Sequence, residues 1–413
     1  MRPWPTLKRF ELVAAAVFLF ILPFTHTVAI RLLCLAIAAT TVLVAWYRNP
    51  PPTPPCKAPL SFWFAVCFLA SIWSIEPEYS WGEFKNEVVY ALLAFFTFYY
   101  LTTSDRVWRI WRHVLISAFC LISLHAIVNY IRAGSWAVLG FVGDRNAYST
   151  YIIVSAPFVL LSLVQTRCHT TAGKWIWVTI PLALVSGFLT LNRIMWVTLM
   201  IEAAIFFFLY LRKSAVAAPA KRLARLAIIG TICALLTVQF FLVSYLKQHT
   251  PDMSVTQLEQ SFSQDPRLRI WSYAAQRVAE RPLTGYGYGR GILRKDFRTH
   301  FADPLHWHGH NMIVNSVIEA GPVGAVALVW LFAVFSLEFW KLYRTELRVT
   351  WELGAFGLAL MLGVATKAMT DDILVRDNAL LFWSLIGMSL GLARHSLTNE
   401  ASRLNKTQRE CIP

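Results

Sequence analysis

The sequence predicts an all-α, polytopic integral membrane protein with about 12 transmembrane helices and one large outer loop that contains short helices. Composition is the first reason: of 413 residues, 57% are hydrophobic and only 15% charged. The mean hydropathy of +0.51 lies well above the usual soluble mix. Span length is the second, because apolar runs long enough to cross a ~30 Å hydrocarbon core, about 17 to 25 helical residues, recur along almost the whole chain. Runs of this length suit helices, whose backbone groups are satisfied internally, better than the ~10-residue alternating strands of a membrane barrel.

Taken in order, helices are expected near 10–27, 29–46, 60–75, 86–103, 114–131, 148–165, 175–190, 193–211, 226–246, 312–338, 352–370 and 378–393. The first run is followed by no small-residue cleavage site and is read as a retained helix, not a signal peptide. The domains are therefore 1–246 (spans), 247–311 (the large loop), 312–393 (spans) and 394–413 (a tail). Basic connections such as "SDRVWRIWRH", "RKSAVAAPAKRLAR" and "KLYRTELR" alternate with acidic or mixed ones such as "EPEYSWGEFKNE" and "TDDILVRD". Lys and Arg in short loops resist translocation, so the basic side and both termini are expected in the cytoplasm.

Cysteine placement agrees with this topology. Cys34, Cys67, Cys120 and Cys233 fall in expected helices, Cys56, Cys168 and Cys411 on the cytoplasmic side, and the long loop has none. No disulfide framework or thiolate metal site is implied. The net charge of +15 is assigned to loops facing anionic membrane lipids, not to nucleic-acid binding.

Candidates for chemistry gather on the outer side. The long loop sets nine bases, from Lys247 to Arg298, against six acids, and this excess asks for an anionic partner, either lipid headgroups or a phosphate. Within it, "PRLRIWSYAAQRVAERPL" places Leu268, Trp271, Ala275 and Val278 near helical spacing, as an amphipathic surface helix would. Arg145 in "GDRN" precedes a helix, and Arg193 in "TLNRIMW" sits in a tight turn between two. Such residues either snorkel to headgroups or serve a function. Arginine's planar fork suits phosphate oxygens, so these positions together could clamp a diphosphate.

"GYGYGRG" lacks the ending of a phosphate-binding loop and is read as a flexible turn, with Tyr286 and Tyr288 as interfacial anchors. In "HWHGH" an extended chain would turn His306, His308 and His310 to one side, as metal ligands, but no carboxylate is clearly placed to join them. Two other readings stand beside that one: histidines packed near headgroups, or His310 as a base near neutral pH. Asn311, Asn315 and Glu319 follow on one helix face and either order the site or bond across helices.

At this point the residues resemble a known family. "HNMIVNSVIEAGPVG", with His310-Asn311 followed by Gly321 and Gly324, is similar to the signature of the O-antigen ligases of Gram-negative bacteria. "GDRNAYSTYIIVSAPF" looks like the superfamily's pre-helix element, "TLNRIMW" like its Ser-x-Ser-Arg turn, and "RLRIWSYAAQRVAERPLTGYGYG" like its Arg, Trp and Pro-Leu-x-Gly-x-Gly segment. Together these pieces cover most of residues 143 to 326. Thr190 and Asn192 replace the usual serines of the turn, and Ala325-Val326 a frequent threonine pair, so the departures touch the subfamily more than the arginine.

The resemblance implies that Arg145, Arg193 and Arg267 bind the pyrophosphate of an undecaprenyl-pyrophosphate-linked O-antigen donor. It also implies that His310 activates a sugar hydroxyl of a lipid A-core acceptor. Arg267, four residues before Trp271, is preferred over Arg269 for the family position. Arg269, Asn146, Asn311, His308 and Arg290 are expected in support. Neither a metal nor a cofactor is expected, because guanidiniums neutralise the leaving group and the donor is already activated. The implied setting is the bacterial inner membrane with the site facing the periplasm, bordered by aromatics such as Trp136, Trp271, Tyr286 and Trp307. The rivals are an O-antigen polymerase or protein O-oligosaccharyltransferase and, from another class, a secondary transporter using Glu202, Glu319, Lys367 and Asp371.

Overall fold

The computed structural model describes residues 7–48, 53–136, 142–166, 171–214, 266–302 and 306–410, with a few isolated positions between 230 and 242. The helix expected near 226–246 and the first part of the long loop fall outside this set. Among the described residues the protein is helical, with no strand. The chain begins with α1 (Leu7–Ile21), α2 (Val28–Arg48), α3 (Lys57–Ile72), α4 (Pro77–Glu83), a π-helical stretch Phe84–Val89, α5 (Tyr90–Leu101) and α6 (Asp105–Ala133). It continues with α7 (Arg145–Gln165), α8 (Thr171–Leu189), α9 (Arg193–Lys213), α10 (Pro266–Glu280), α11 (Arg294–Phe301), α12 (Met312–Arg344), α13 (Arg348–Ala368) and α14 (Arg376–Glu410).

Six helices among the described residues are long and apolar enough to cross a membrane: α6, α7, α9, α12, α13 and Arg376–Arg403 of α14. Four shorter apolar helices lie in α1, α2, α3 and α8. The count of twelve therefore stays an expectation. Several ends differ from the hydropathy reading because polar residues extend helices that apolar runs only outline. Ser104 caps α6, its hydroxyl accepting from the Val107 N–H at 3.3 Å, so the basic stretch before the apolar run is already helical. The expected tail from 394 continues α14 as helix to Glu410.

One large apolar core runs through the bundle, where α14 packs on α5, α12 on α13 and α13 on α9. A smaller core of Ile270, Ala274, Tyr286, Ile292, Leu293 and Phe297 joins the outer segment to Ile318 of α12. This corrects part of the amphipathic face of α10: Trp271 and Val278 pack against the smaller core as expected, but the buried stripe is Ile270 and Ala274, whereas Leu268 is 55% exposed and Ala275 is exposed. The helix is turned towards its own loop and α12, a rotation that helical spacing alone does not fix.

The glycine tract is also corrected, from a flexible turn to a buried splint. Pro322 has no N–H to give the carbonyl of Ile318 four residues earlier, and α12 departs from helical geometry at Ala320 and at Gly321 (φ +66°, ψ −168°). The tract fills the gap: Tyr286 N–H donates to Ile318 O at 2.8 Å and Gly287 N–H to Glu319 O at 3.0 Å. Ile75 N–H in turn donates to Tyr286 O at 2.9 Å. Tyr286 and Tyr288 are buried, not interfacial. Part of the loop's basic excess is likewise used internally, in Arg277–Asp296 (2.9 Å), Arg277–Glu280 (2.8 Å) and Lys295–Glu76 (2.9 Å). The four cysteines among the described residues, Cys34, Cys56, Cys67 and Cys120, are free thiols.

Candidate active site

Helix starts build the site. Asp144 caps α7, its carboxylate accepting from the N–H groups of Asn146 and Ala147 at 2.9 Å each, so Arg145 and Asn146 open the helix. Asn311 caps α12 by accepting from Ile313 (2.9 Å) and Val314 (3.1 Å), and its Nδ2 donates to Met369 O at 3.3 Å. That last bond fastens the "HWHGH" loop to the turn after α13, which carries Asp371 and Asp372. Asn192 precedes α9, and its Nδ2 donates to Ser149 Oγ at 2.7 Å, which ties the start of α9, where Arg193 sits, to α7. Three helix N-termini thus open at the same end, an arrangement favourable to an anion.

The loop is held from both sides. Gly309 N–H donates to Asn315 Oδ1 at 2.8 Å, and Gly309 O accepts from Trp271 Nε1 at 2.9 Å. Asn315 Nδ2 also donates to Asp372 Oδ2 at 3.2 Å, so this residue orders the site. His310 follows with φ +46°, a left-handed conformation uncommon outside glycine. Its N–H donates to His308 Nδ1 at 3.0 Å, and the two rings lie 3.9 Å apart.

Asp371 completes the centre. Its Oδ1 lies 3.8 Å from both His308 Nε2 and His310 Nδ1. Its Oδ2 accepts from Asn146 Nδ2 and is 3.8 Å from Lys367 Nζ. Burial pushes the carboxyl of Asp371 up, but Lys367, the two histidines and the Asp372 N–H outweigh it and hold the group below its usual range. The neighbouring Asp372 is pushed the other way, by burial that Arg290 only partly offsets. One aspartate is thereby kept as an ionised partner for His310.

The sequence reading named Lys367 and Asp371 only as charges of the transporter rival and did not place Asp371 beside the histidines. The signal was present in "TDDILVRD" among the outer connections, but its neighbour in space lies far along the chain. Of the expected residues, Asn146, His308, His310 and Asn311 meet here. Arg145 and Arg267 are exposed at this end, where Arg267 acts electrostatically on Lys367, and Arg193 Nε is buried without a partner in the protein. Arg290 and Arg294 lie over the Trp307 ring at 4.9 and 4.4 Å. Arg269 is exposed. Trp136 braces the approach to α7, its Nε1 donating to Gly143 O at 3.3 Å.

The metal reading is changed in its members: among the described residues the close group is His308, His310 and Asp371, with His306 outside it. Bond donors oppose it. His308 Nδ1 accepts from the His310 N–H, so the neutral ring carries its proton on Nε2, the very atom that would have to be bare to bind a metal beside Asp371.

His308 is buried, and burial first, then His310, Arg290 and Arg294, lower its pKa to about 3 although Asp371 pulls the other way. The folded protein therefore favours the neutral ring. Its stabilising contribution is full above the unfolded value near 6.5 and is lost as the pH falls towards 3. Thermal unfolding of the wild type should accordingly weaken between pH 6.5 and 4 more steeply than that of His308→Asn, whose oxygen can still accept from residue 310. Parallel profiles would remove His308 as the cause.

Residues 178–329 match the O-antigen ligase family. That match supports the O-antigen ligase superfamily for this chain. No curated protein matches the chain. The O-antigen ligase region holds Arg193, Arg267, the glycine splint, His310 and the kink of α12, whereas Arg145, Asn146, Lys367 and Asp371 lie outside it. Members of this family are glycosyltransferase-like enzymes of glycan assembly, and the chain's apolar helices fit a membrane protein.

Proposed function

We propose that the protein is an O-antigen ligase of the bacterial inner membrane. It transfers O-antigen polysaccharide from undecaprenyl pyrophosphate to a sugar hydroxyl of lipid A-core, with inversion and without a metal, on the periplasmic side. The observation that carries this is the pairing of His310 Nδ1 with the ionised Asp371, and the buried Arg193 Nε without a partner in the protein supports an anionic ligand at the start of α9. Asp371 fixes the ring so that Nε2 takes the acceptor proton, and catalytic hydrogen bonds longer than usual without substrate are expected to tighten on binding.

The acceptor oxygen then bonds to the anomeric carbon as the bond from that carbon to the pyrophosphate oxygen breaks. The proton ends on His310 and passes to solvent, and the departing pyrophosphate keeps its electrons, its charge met by Arg145, Arg193 and Arg267. Attack opposite the leaving group inverts the anomeric centre. An apolar cleft of about 540 Å³ begins at Met312 and Met369, beside the Asn311–Met369 bond, and runs between α9, α12 and α13 to Trp340. One prenyl chain fits its chemistry.

A polymerase shares this donor and differs in the acceptor. The transporter alternative loses two of its four charges, since Lys367 and Asp371 sit with His310. The deciding assay is transfer by purified protein in detergent, from lipid-pyrophosphate-linked glycan to lipid A-core, with and without chelator. Transfer that survives chelation, and that falls about 100-fold or more in Arg193→Ala, supports the reading. Growth of the lipid-linked glycan alone means a polymerase, and loss on chelation restored by added metal returns His308, His310 and Asp371 to a metal site.

A further inference from the structure

Asn146 is bonded from both sides. Lys367 Nζ donates to its Oδ1 at 2.8 Å, and its Nδ2 donates to Asp371 Oδ2. Lysine offers only donors and an ionised carboxylate only acceptors, so this amide has one orientation that satisfies both. The two oxygens of Asp371 are divided accordingly: Oδ2 faces Asn146 and Lys367, and Oδ1 faces His308, His310 and the Asp372 N–H, which donates at 2.8 Å. Lys367 is buried at 2% exposure, and a buried ammonium ending α13 needs these partners.

We infer that Lys367 is a positioning residue which, through the amide of Asn146 and the carboxylate of Asp371, sets the orientation and protonation of His310. It never touches the acceptor. Its charge locks the Asn146 amide, the amide aims the carboxylate, and the carboxylate aims the imidazole. This rests on His310 being the base proposed above. It adds a partner from α13 and another from α7, both outside the matched family region.

The groups around this chain decide the sign of its pH behaviour. Asp371 is faced by Lys367 from its own segment, by His308 and His310 from the loop before α12, and by Asn146 from α7. Arg267 of α10 and Asp144 before α7 act on Lys367, and Arg290 and Arg294 on His308. When Lys367 is removed, Asp371 still accepts from Asn146 and from the Asp372 N–H and stays ionised. Its charge is then less neutralised, the imidazolium of His310 is favoured, and the ring titrates at higher pH.

The test is titration of the full-length protein in detergent, with labelled histidine followed by NMR and the His310 signal assigned by its loss in His310→Asn. Lys367→Met should raise the His310 midpoint by about one pH unit, and Lys367→Arg should leave it within about 0.3. A midpoint unchanged or lowered in Lys367→Met overturns the inference. If Lys367→Met does not fold, Asn146→Leu, which removes the amide between Lys367 and Asp371, is titrated in the same way and should raise the His310 midpoint by at least about 0.5 unit. A midpoint unchanged or lowered in that variant overturns the inference. Because the NMR arm reads protonation and not product, absence of transfer by the wild type would sink the proposed function while leaving this inference to its own result.

Discussion

His310→Ala should lower the transfer rate by roughly 10²- to 10⁴-fold, the range contributed by a positioned general base, while the protein stays folded and inserted. The effect is expected in kcat, because no part of the donor clamp is removed. The backbone supplies a control. At φ +46° a non-glycine residue is held in a left-handed conformation that costs about 1 kcal/mol. His310→Gly should therefore be as inactive as the alanine variant and yet unfold at a temperature no lower than the wild type. Near-normal turnover in either variant would refute the base assignment, and a markedly lowered melting temperature in the glycine variant would refute the strain.

Gly321→Ala should destabilise the protein by about 3 kcal/mol or more, combining a conformation almost confined to glycine with a collision. A Cβ there would meet the carbonyl of Leu283, and one at Gly285 (φ +65°) would meet the backbone at Glu319, 2.6 Å away. Both changes part the splint from the kinked helix, so Gly285→Ala should have a similar effect and the pair should be less than additive. Gly82, inside α4 with nothing within 4 Å of an added Cβ, is the contrast: Gly82→Ala should be neutral or stabilising by about 0.5–1 kcal/mol. Thermal unfolding of the four variants in one detergent checks this. Equal behaviour of Gly321→Ala and Gly82→Ala would mean that the splint carries no stability.

The histidine loop and the glycine tract show how differently two neighbouring motifs yield to reading. Histidines at alternate positions raise the question of a metal, and only the bond from the His310 N–H to His308 Nδ1 settles the tautomer that opposes it. Glycines at alternate positions suggest flexibility, yet here they permit backbone to approach backbone where Pro322 leaves the Ile318 carbonyl without its helical donor. In both cases the sequence names the residue types and the partner lies in another segment.

Local physics made the helices legible. Among the described residues apolar runs of bilayer length form helices, and a short polar residue before a run, Asp144 or Asn311, fixes where the helix starts by meeting its unpaired N–H groups. Arg145 and Arg193 could be singled out beside helix starts, and His310 and Asn311 from the chemistry and spacing of the histidine segment, whereas Asn146 came only with the family resemblance. The rotation of α10, the burial of Tyr286 and Tyr288, and above all the meeting of His310 with Asp371, Asn146 and Lys367 were decided by tertiary structure alone. These depend on which faces of α7, α12 and α13 pack together, and packing between distant segments leaves no periodic trace in any one of them. The sequence by itself determined an apolar chain, helical among the described residues, and named the candidate residues for the chemistry. The fold decided that an aspartate and a lysine outside the matched motifs stand behind the histidine, because the starts of α7 and α12 and the end of α13 meet there.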